Sequence, residues 1–208
     1  MTTGFAGKSK IAGIILAAGQ SRRMGATNKL LAQFNNTSFV QTIARNALEA
    51  ELDEIIVVTG HEAERIEAEV SGLNVTCILN KNFAQGLSSS LKVGVSALES
   101  DVDAVLILLA DMPFITTDII REVAASYDHE YPDRILVPYH KGKRGNPVLW
   151  PRQYFSELTS LTGDQGARQL LRAYQNTIHK LDLGKEVLID IDTPEAAEAF
   201  GIKGVDRK

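Results

Sequence analysis

Arg22, Arg23 and Lys29 crowd into one early stretch, Ile14-Ile15-Leu16-Ala17-Ala18-Gly19-Gln20-Ser21-Arg22-Arg23-Met24-Gly25-Ala26-Thr27-Asn28-Lys29-Leu30-Leu31. Cationic side chains at that density suit phosphate oxygens. Gly19 and Gly25 have no Cβ, so the backbone between them can approach a phosphate chain closely. Free N–H groups in such a loop form an anion-binding nest. The apolar run ends at Gly19, which puts the loop at the carboxyl end of a strand, where it would grip a triphosphate. Leu16, Ala17, Ala18, Gly19, Arg23, Gly25 and Lys29 are therefore candidate nucleotide contacts. Spacing excludes two other phosphate loops. Gly19 to Gly25 is one residue too long for G-x-x-x-x-G-K-[ST], and Ala26 stands where its lysine should be. The dinucleotide fingerprint G-x-G-x-x-G is absent.

Two acidic segments complement the cations. Asp111 directly follows a strongly apolar run, in Leu108-Leu109-Ala110-Asp111-Met112-Pro113. A carboxylate there lands at the carboxyl edge of a sheet, where open α/β sheets bind ligands. It could hold Mg2+, which takes few protein ligands and completes its shell with phosphate oxygens and water. The alternative is a turn or capping aspartate. Near the other end, Asp190 and Asp192 stand two apart in Ile189-Asp190-Ile191-Asp192-Thr193-Pro194-Glu195. In an extended chain both carboxylates point to one face and Ile191 to the opposite, core-facing one. They could meet one cation, or Asp192 could compete with Thr193 to cap the last helix.

Asn80-Lys81-Asn82-Phe83-Ala84-Gln85-Gly86-Leu87-Ser88-Ser89-Ser90-Leu91 carries a third constellation. Gly86 frees a turn, and Ser88 and Ser89 fall in the first turn of a helix. Free N–H groups and hydroxyls there make an anion or ribose site, or serve as ordinary caps. Gly60-His61-Glu62 ends another strand at the same edge; it could frame a base, or His61 could be a plain polar loop residue. His129, His140 and His179 lack metal-ligand spacing and are assigned no chemistry.

Positioning these groups requires strands alternating with helices, the pattern of an α/β fold with a mainly parallel sheet. Strands are expected at 12–17, 54–59, 75–79 and 104–110, the last central. Residues 30–34 read as a short extended piece. Helices are expected at 38–50, capped by Thr37 or Ser38; at 62–70; at 87–98, with Leu87, Leu91, Val95 and Leu98 on one face; and from Thr116 or Thr117 to about residue 127. The second half reads as a strand at 134–138, a basic turn at 141–145 and a strand or extended segment at 146–150. Helices at 152–158 and 165–174, strands at 177–181 and 187–191, and a helix at 193–200 with Pro194 in its first turn follow.

Composition sets bounds. With 208 residues, 44% hydrophobic and 23% charged, the chain reads as one globular domain over 11–202, with loose ends at 1–10 and 203–208. Residues 139–186 read as elaborations that build an acceptor pocket. A net charge of −4 argues against a nucleic-acid surface. The single Cys77 fits a reducing, cytoplasmic setting and reads as a small core residue. No run is long and apolar enough for a membrane span or signal peptide.

The cationic loop resembles the signature of nucleotidyltransferases that join an NTP to a phosphorylated acceptor, L-A-[AG]-G-x-S-x-R-M-G-x-x-K, with one extra residue before Lys29. Leu16-Ala17-Ala18-Gly19 and Asn28-Lys29-Leu30-Leu31 resemble the molybdenum cofactor cytidylyltransferase branch of the MobA-like family. The resemblance runs from Ile14 to Phe200 and implies a single Rossmann-like three-layer α/β/α nucleotidyltransferase domain. It implies Arg23, Lys29 and Asp111 as catalytic residues, Mg2+ (or Mn2+) on Asp111 and Asp192 with Asp190 beside them, and Gly60, Asn80, Ser88 and Ser89 beside the nucleotide. Gly145-Asn146-Pro147-Val148-Leu149 and Gly163-Asp164-Gln165-Gly166-Ala167-Arg168 resemble the acceptor segments, implying Asn146, Pro147, Asp164, Gly166 and Arg168 as acceptor contacts. Asn146 stands where histidine is common, which suits positioning better than proton transfer. The implied substrates are CTP and Mo-molybdopterin, and the implied recipient is a molybdoenzyme of the xanthine dehydrogenase type. Ala18 is the form of CTP-using relatives; its methyl would restrict space near the base, a discrimination of about 1–3 kcal/mol. GTP with the same acceptor, another phosphorylated acceptor, and a non-catalytic cofactor carrier stand as alternatives.

Overall fold

The structure, a computed structural model, describes residues 8–20, 28–127, 132–163 and 167–202. Arg22, Arg23, Gly25, His129, Asp164 and Gly166 lie outside the described residues. The first strand, β1 (Ile11–Ala17), is buried along its whole length. It shows no polar alternation because both its faces are covered. Ile11, Ile15 and Ala17 enter one core, while Ala12, Ile14 and Leu16 enter another. A small hairpin, β2 (Gln33–Phe34) and β3 (Thr37–Ser38), leads to α1 (Phe39–Glu49). Ser38 caps α1, its hydroxyl accepting the Gln41 N–H. The alternation continues with β4 (Glu54–Thr59), α2 (Ala63–Glu69), β5 (Thr76–Leu79), α3 (Leu87–Ser96), β6 (Ala104–Leu109) and α4 (Thr117–Ala125). Thr116 caps α4 through the Ile119 N–H. The second half adds β7 (Ile135–His140), β8 (Lys143–Arg144), β9 (Val148–Pro151), α5 (Phe155–Ser160), α6 (Arg168–Ala173), β10 (Ile178–Asp182) and α7 (Pro194–Ala199).

One sheet joins both halves in the order β10-β7-β9-β6-β1-β4-β5, with β8 paired to β7. β1 runs parallel to β4 and β6, β4 to β5, and β7 to β10. β9 runs antiparallel to both β6 and β7, so those two strands point the same way. All the parallel strands therefore end at one edge, and the residues just before β9 lie at that edge too. Side chains of α1, α2 and α4 fill the core on one face. Those of α3, α5 and α6 fill the other. The fold is thus a three-layer α/β/α sandwich around a mainly parallel sheet. Among the described residues no helix is long and apolar enough to cross a membrane.

Several local expectations change. Cys77 is exposed, because β5 is the edge strand and leaves Thr76, Cys77 and Leu79 open to solvent. Leu87 is exposed at the first residue of α3, while Leu91 and Val95 are buried. Residues 187–191 form no strand. Lys185–Leu188 is a 3-10 turn, and the extended chain after it bonds to a loop carbonyl rather than a strand ladder. Lys29–Leu31 is likewise a 3-10 turn rather than extended chain.

Candidate active site

Lys29, at the end of the cationic stretch, and both acidic segments meet at the carboxyl edge of the sheet. Asn28 is 2% exposed, and its side-chain oxygen accepts the Leu30 N–H at 3.1 Å, starting the turn that carries Lys29. Leu30 anchors that turn in the core. Asp111 follows β6, and the neighbouring Ala110 N–H donates to the Leu16 carbonyl at 3.3 Å. The Ile191 N–H donates to the Asp111 carbonyl at 3.0 Å, and the Ile191 side chain is fully buried beside Phe39 and Ala197. Asp190 and Asp192 therefore face away from the core, as a two-residue period requires. Thr193, not Asp192, caps α7: its hydroxyl accepts the Ala196 N–H. That leaves the Asp192 carboxylate for the site.

Lys29 joins the acidic segments. Its Nζ lies 2.6 Å from Asp111 Oδ2 and also forms an ion pair with Asp192 Oδ1, contacts that span 82 and 163 residues of sequence. Burial pulls the Lys29 ammonium down, but the Asp111 and Asp192 carboxylates outweigh it and hold the group above its ordinary value. Burial, then the Asp192 and Asp111 charges, push the Asp190 carboxyl up, against the smaller pull of Lys29. The described groups thus set three carboxylates against one ammonium. That excess of negative charge and its all-oxygen donor set fit a hard divalent cation such as Mg2+ or Mn2+. Among the described residues no three His, Cys, Asp or Glu side chains form a ready-made metal group. A cation here would rest on Asp111 and Asp192 and complete its shell with phosphate oxygens or water.

The other candidates fall around this junction. Leu16, Ala17 and Ala18 are buried and Gly19 is exposed. A Cβ on Gly60 would lie 2.8 Å from both the Ala18 and Phe83 Cβ atoms, and the His61 N–H donates to the Ala18 carbonyl at 3.3 Å. The Ala18 methyl is thus packed against Gly60, where the ends of β1 and β4 touch. Asn80, 1% exposed, donates through Nδ2 to Ser89 Oγ at 2.8 Å and Ser90 Oγ at 3.0 Å. The Ser88 N–H donates to the Gly163 carbonyl at 3.2 Å, tying the first turn of α3 to the loop before α6. Ser88 Oγ is buried and has no hydrogen-bond partner among the described residues, so the start of α3 holds an unspent hydroxyl. Pro147 is buried, and the Asn146 N–H donates to the Val187 carbonyl at 2.9 Å. Arg168 is exposed at the start of α6, and Lys141, Lys143 and Arg144 are exposed on the β7–β8 hairpin. Sequence reasoning missed Asn28, whose only signal is a short polar side chain two residues before an apolar N–H. It also missed the contact of Gly145 with Val187, which no local pattern encodes.

Known proteins share the sequence and the fold of this chain. The chain is 30% identical over 183 residues to the molybdenum cofactor cytidylyltransferase of Escherichia coli K12, spanning 88% of this chain and 91% of that protein. It is 31% identical over 195 residues to the purine catabolism protein PucB of Bacillus subtilis 168, spanning 88% and 92%. The solved structure of an Rv0371c homologue from Mycobacterium sp. strain JC1 superimposes with a TM-score of 0.82 at 26% identity, covering 92% of this chain and 95% of that one. Residues 13–178 match the MobA-like NTP transferase domain, and the chain belongs to that family of nucleotidyltransferases.

Proposed function

We propose that the chain transfers CMP from CTP to the terminal phosphate of Mo-molybdopterin, releasing pyrophosphate. The observation that carries this reading is the junction of Lys29 with Asp111 and Asp192 at the carboxyl edge of the sheet. The cytidylyltransferase named among its relatives supports the choice of CTP and of a molybdenum cofactor. A terminal phosphate oxygen attacks the α-phosphorus, and the bond from that phosphorus to the β-phosphate oxygen breaks. A phosphate monoester is already an anionic nucleophile, so little proton transfer is needed. The protein must instead bring two anions together and stabilise charge on the leaving pyrophosphate. Asp111 and Asp192 would hold Mg2+ or Mn2+, with Asp190 alongside, which when bound neutralises phosphate oxygens of donor and acceptor. Arg23 and Lys29 would hold the β- and γ-phosphates against the Gly19–Gly25 backbone. Asn80, Ser88 and Ser89 would face ribose and base, and Gly60 would hold the base side open. Asn146, Pro147, Asp164, Gly166 and Arg168 would hold the acceptor. A purine-oxidising molybdoenzyme in the cytoplasm is the recipient we favour, supported by the purine catabolism name of PucB.

The test is pyrophosphate release with Mg2+ and Mo-molybdopterin, comparing CTP, GTP and ATP. Release with CTP alone, abolished in Asp111→Ala, is the expected result. Release with GTP instead keeps the mechanism and overturns the base assignment. Absence of release with any nucleotide, despite folded protein and intact acceptor, overturns the reading in favour of another acceptor or a carrier.

A further inference from the structure

We infer that Lys29 is a resident counter-ion that blocks divalent-ion entry, so that the ion and the nucleotide bind as mutually dependent ligands. Its Nζ engages Asp111 Oδ2 at 2.6 Å together with Asp192 Oδ1, and its side chain is only 12% exposed. Those are the oxygens that a cation shared by Asp111 and Asp192 would take. An ammonium and a divalent ion cannot occupy one pair of carboxylates without strong repulsion. An ion arriving alone must therefore displace the ammonium from two carboxylates at once.

A triphosphate changes the balance. Lysine places a single point charge on a flexible four-carbon stem, so it can exchange partners while its backbone stays put. The backbone of Lys29 is fixed by the Asn28 cap and by buried Leu30. Phosphate oxygens that accept the Lys29 ammonium release Asp111 and Asp192 for the cation. Each ligand then tightens the other by the same factor. The nucleotide half of this inference rests on the proposed nucleotidyl transfer; the competition between Lys29 and the ion does not.

Mn2+ alone is the probe, followed by the electron paramagnetic resonance signal of the free ion, with the full chain and no nucleotide. Lys29→Gln should bind Mn2+ tighter than the natural chain by on the order of tenfold. Lys29→Arg keeps the charge and should bind as weakly as the natural chain. A lesion of the fold would move both variants together, and circular dichroism reads folding independently. Lys29→Met repeats the neutral substitution should Lys29→Gln not fold. Equal or weaker Mn2+ binding by a folded neutral variant overturns the inference, because Lys29 would then orient the carboxylates rather than block them. Tighter Mn2+ binding by the neutral variant, with no CTP turnover by the natural chain, would sink the proposed reaction and leave the counter-ion role standing.

Discussion

Asn28 fixes the backbone turn that carries Lys29. It is buried, and its oxygen accepts the Leu30 N–H at the start of a turn only three residues long. Asn28→Ala removes that acceptor and should cost about 1 kcal/mol, as loss of a helix cap does. For a chain of this size that lowers the melting temperature by about 2–4 °C. Turnover should fall further than stability, because the turn that loses its cap also places Lys29, which we propose holds the β- and γ-phosphates. Asn28→Asp keeps the acceptor but buries a negative charge beside the Glu62 carboxylate, so it should recover little of the stability. An Asn28→Ala protein with unchanged melting and turnover would show that Leu30 burial alone holds the turn. Asp111 was legible because a charge at the end of an apolar strand is conspicuous, and Lys29 and Asp192 because their segments resemble those of the family. Asn28 was not legible, since its role depends on a hydrogen bond over two residues inside a loop. The rivalry between Asp192 and Thr193 was equally open, and only the Thr193 hydroxyl on the Ala196 N–H decides it.

At the scale of elements, the site depends on how the β7–β8 hairpin is fastened to the segment that leads to Asp190 and Asp192. The Gly145 N–H donates to the Pro138 carbonyl at 2.8 Å, and the Asn146 N–H donates to the Val187 carbonyl. A Cβ at Gly145 would collide with that same Val187 carbonyl oxygen and lie 2.6 Å from Val187 Cγ2. Backbone cannot rotate away as a side-chain tip can. Gly145→Ala should therefore cost about 1–3 kcal/mol, the range of overpacked cores. If the proposed reaction is right, it should also weaken binding of the acceptor more than of CTP, since the Asn146 segment moves with it. Urea denaturation and separate KM values for the two substrates check this; an unchanged urea midpoint would mean that the two segments slide apart freely. The contact explains why this half was harder to read. Strands β1, β4 and β6 announce themselves as buried apolar runs bounded by glycine or aspartate. The direction of β9 is written in no local pattern, and residues 187–191 have strand-like composition yet spend their hydrogen bonds on the Asp111 loop and Asn146.

At the scale of the whole molecule, the first half of the chain and the half proposed to hold the acceptor share one sheet and both cores. Leu149 of β9 and Leu136 of β7 lie in the same cluster as Ile15 of β1 and Val57 of β4. On the opposite face, Trp150 of β9 and Leu171 of α6 lie with Ile14 and Val58. Neither half could open without exposing side chains of the other, so we expect residues 11–202 to unfold as one unit. Trp150 supplies the probe. It is the only tryptophan, fully buried, opposite Val105 in the register of β6 and β9, with the Tyr154 ring 5.9 Å away edge-on. Its fluorescence therefore reports the seam between the two sides, while far-UV circular dichroism reports all the helices and strands. In urea the two signals should trace a single transition with one midpoint, the behaviour of a cooperative unit. A fluorescence change that precedes the loss of circular dichroism would mean that β9 and the acceptor side melt first. Residues 139–186 would then be a separable elaboration on the nucleotide-binding half rather than part of one cooperative fold.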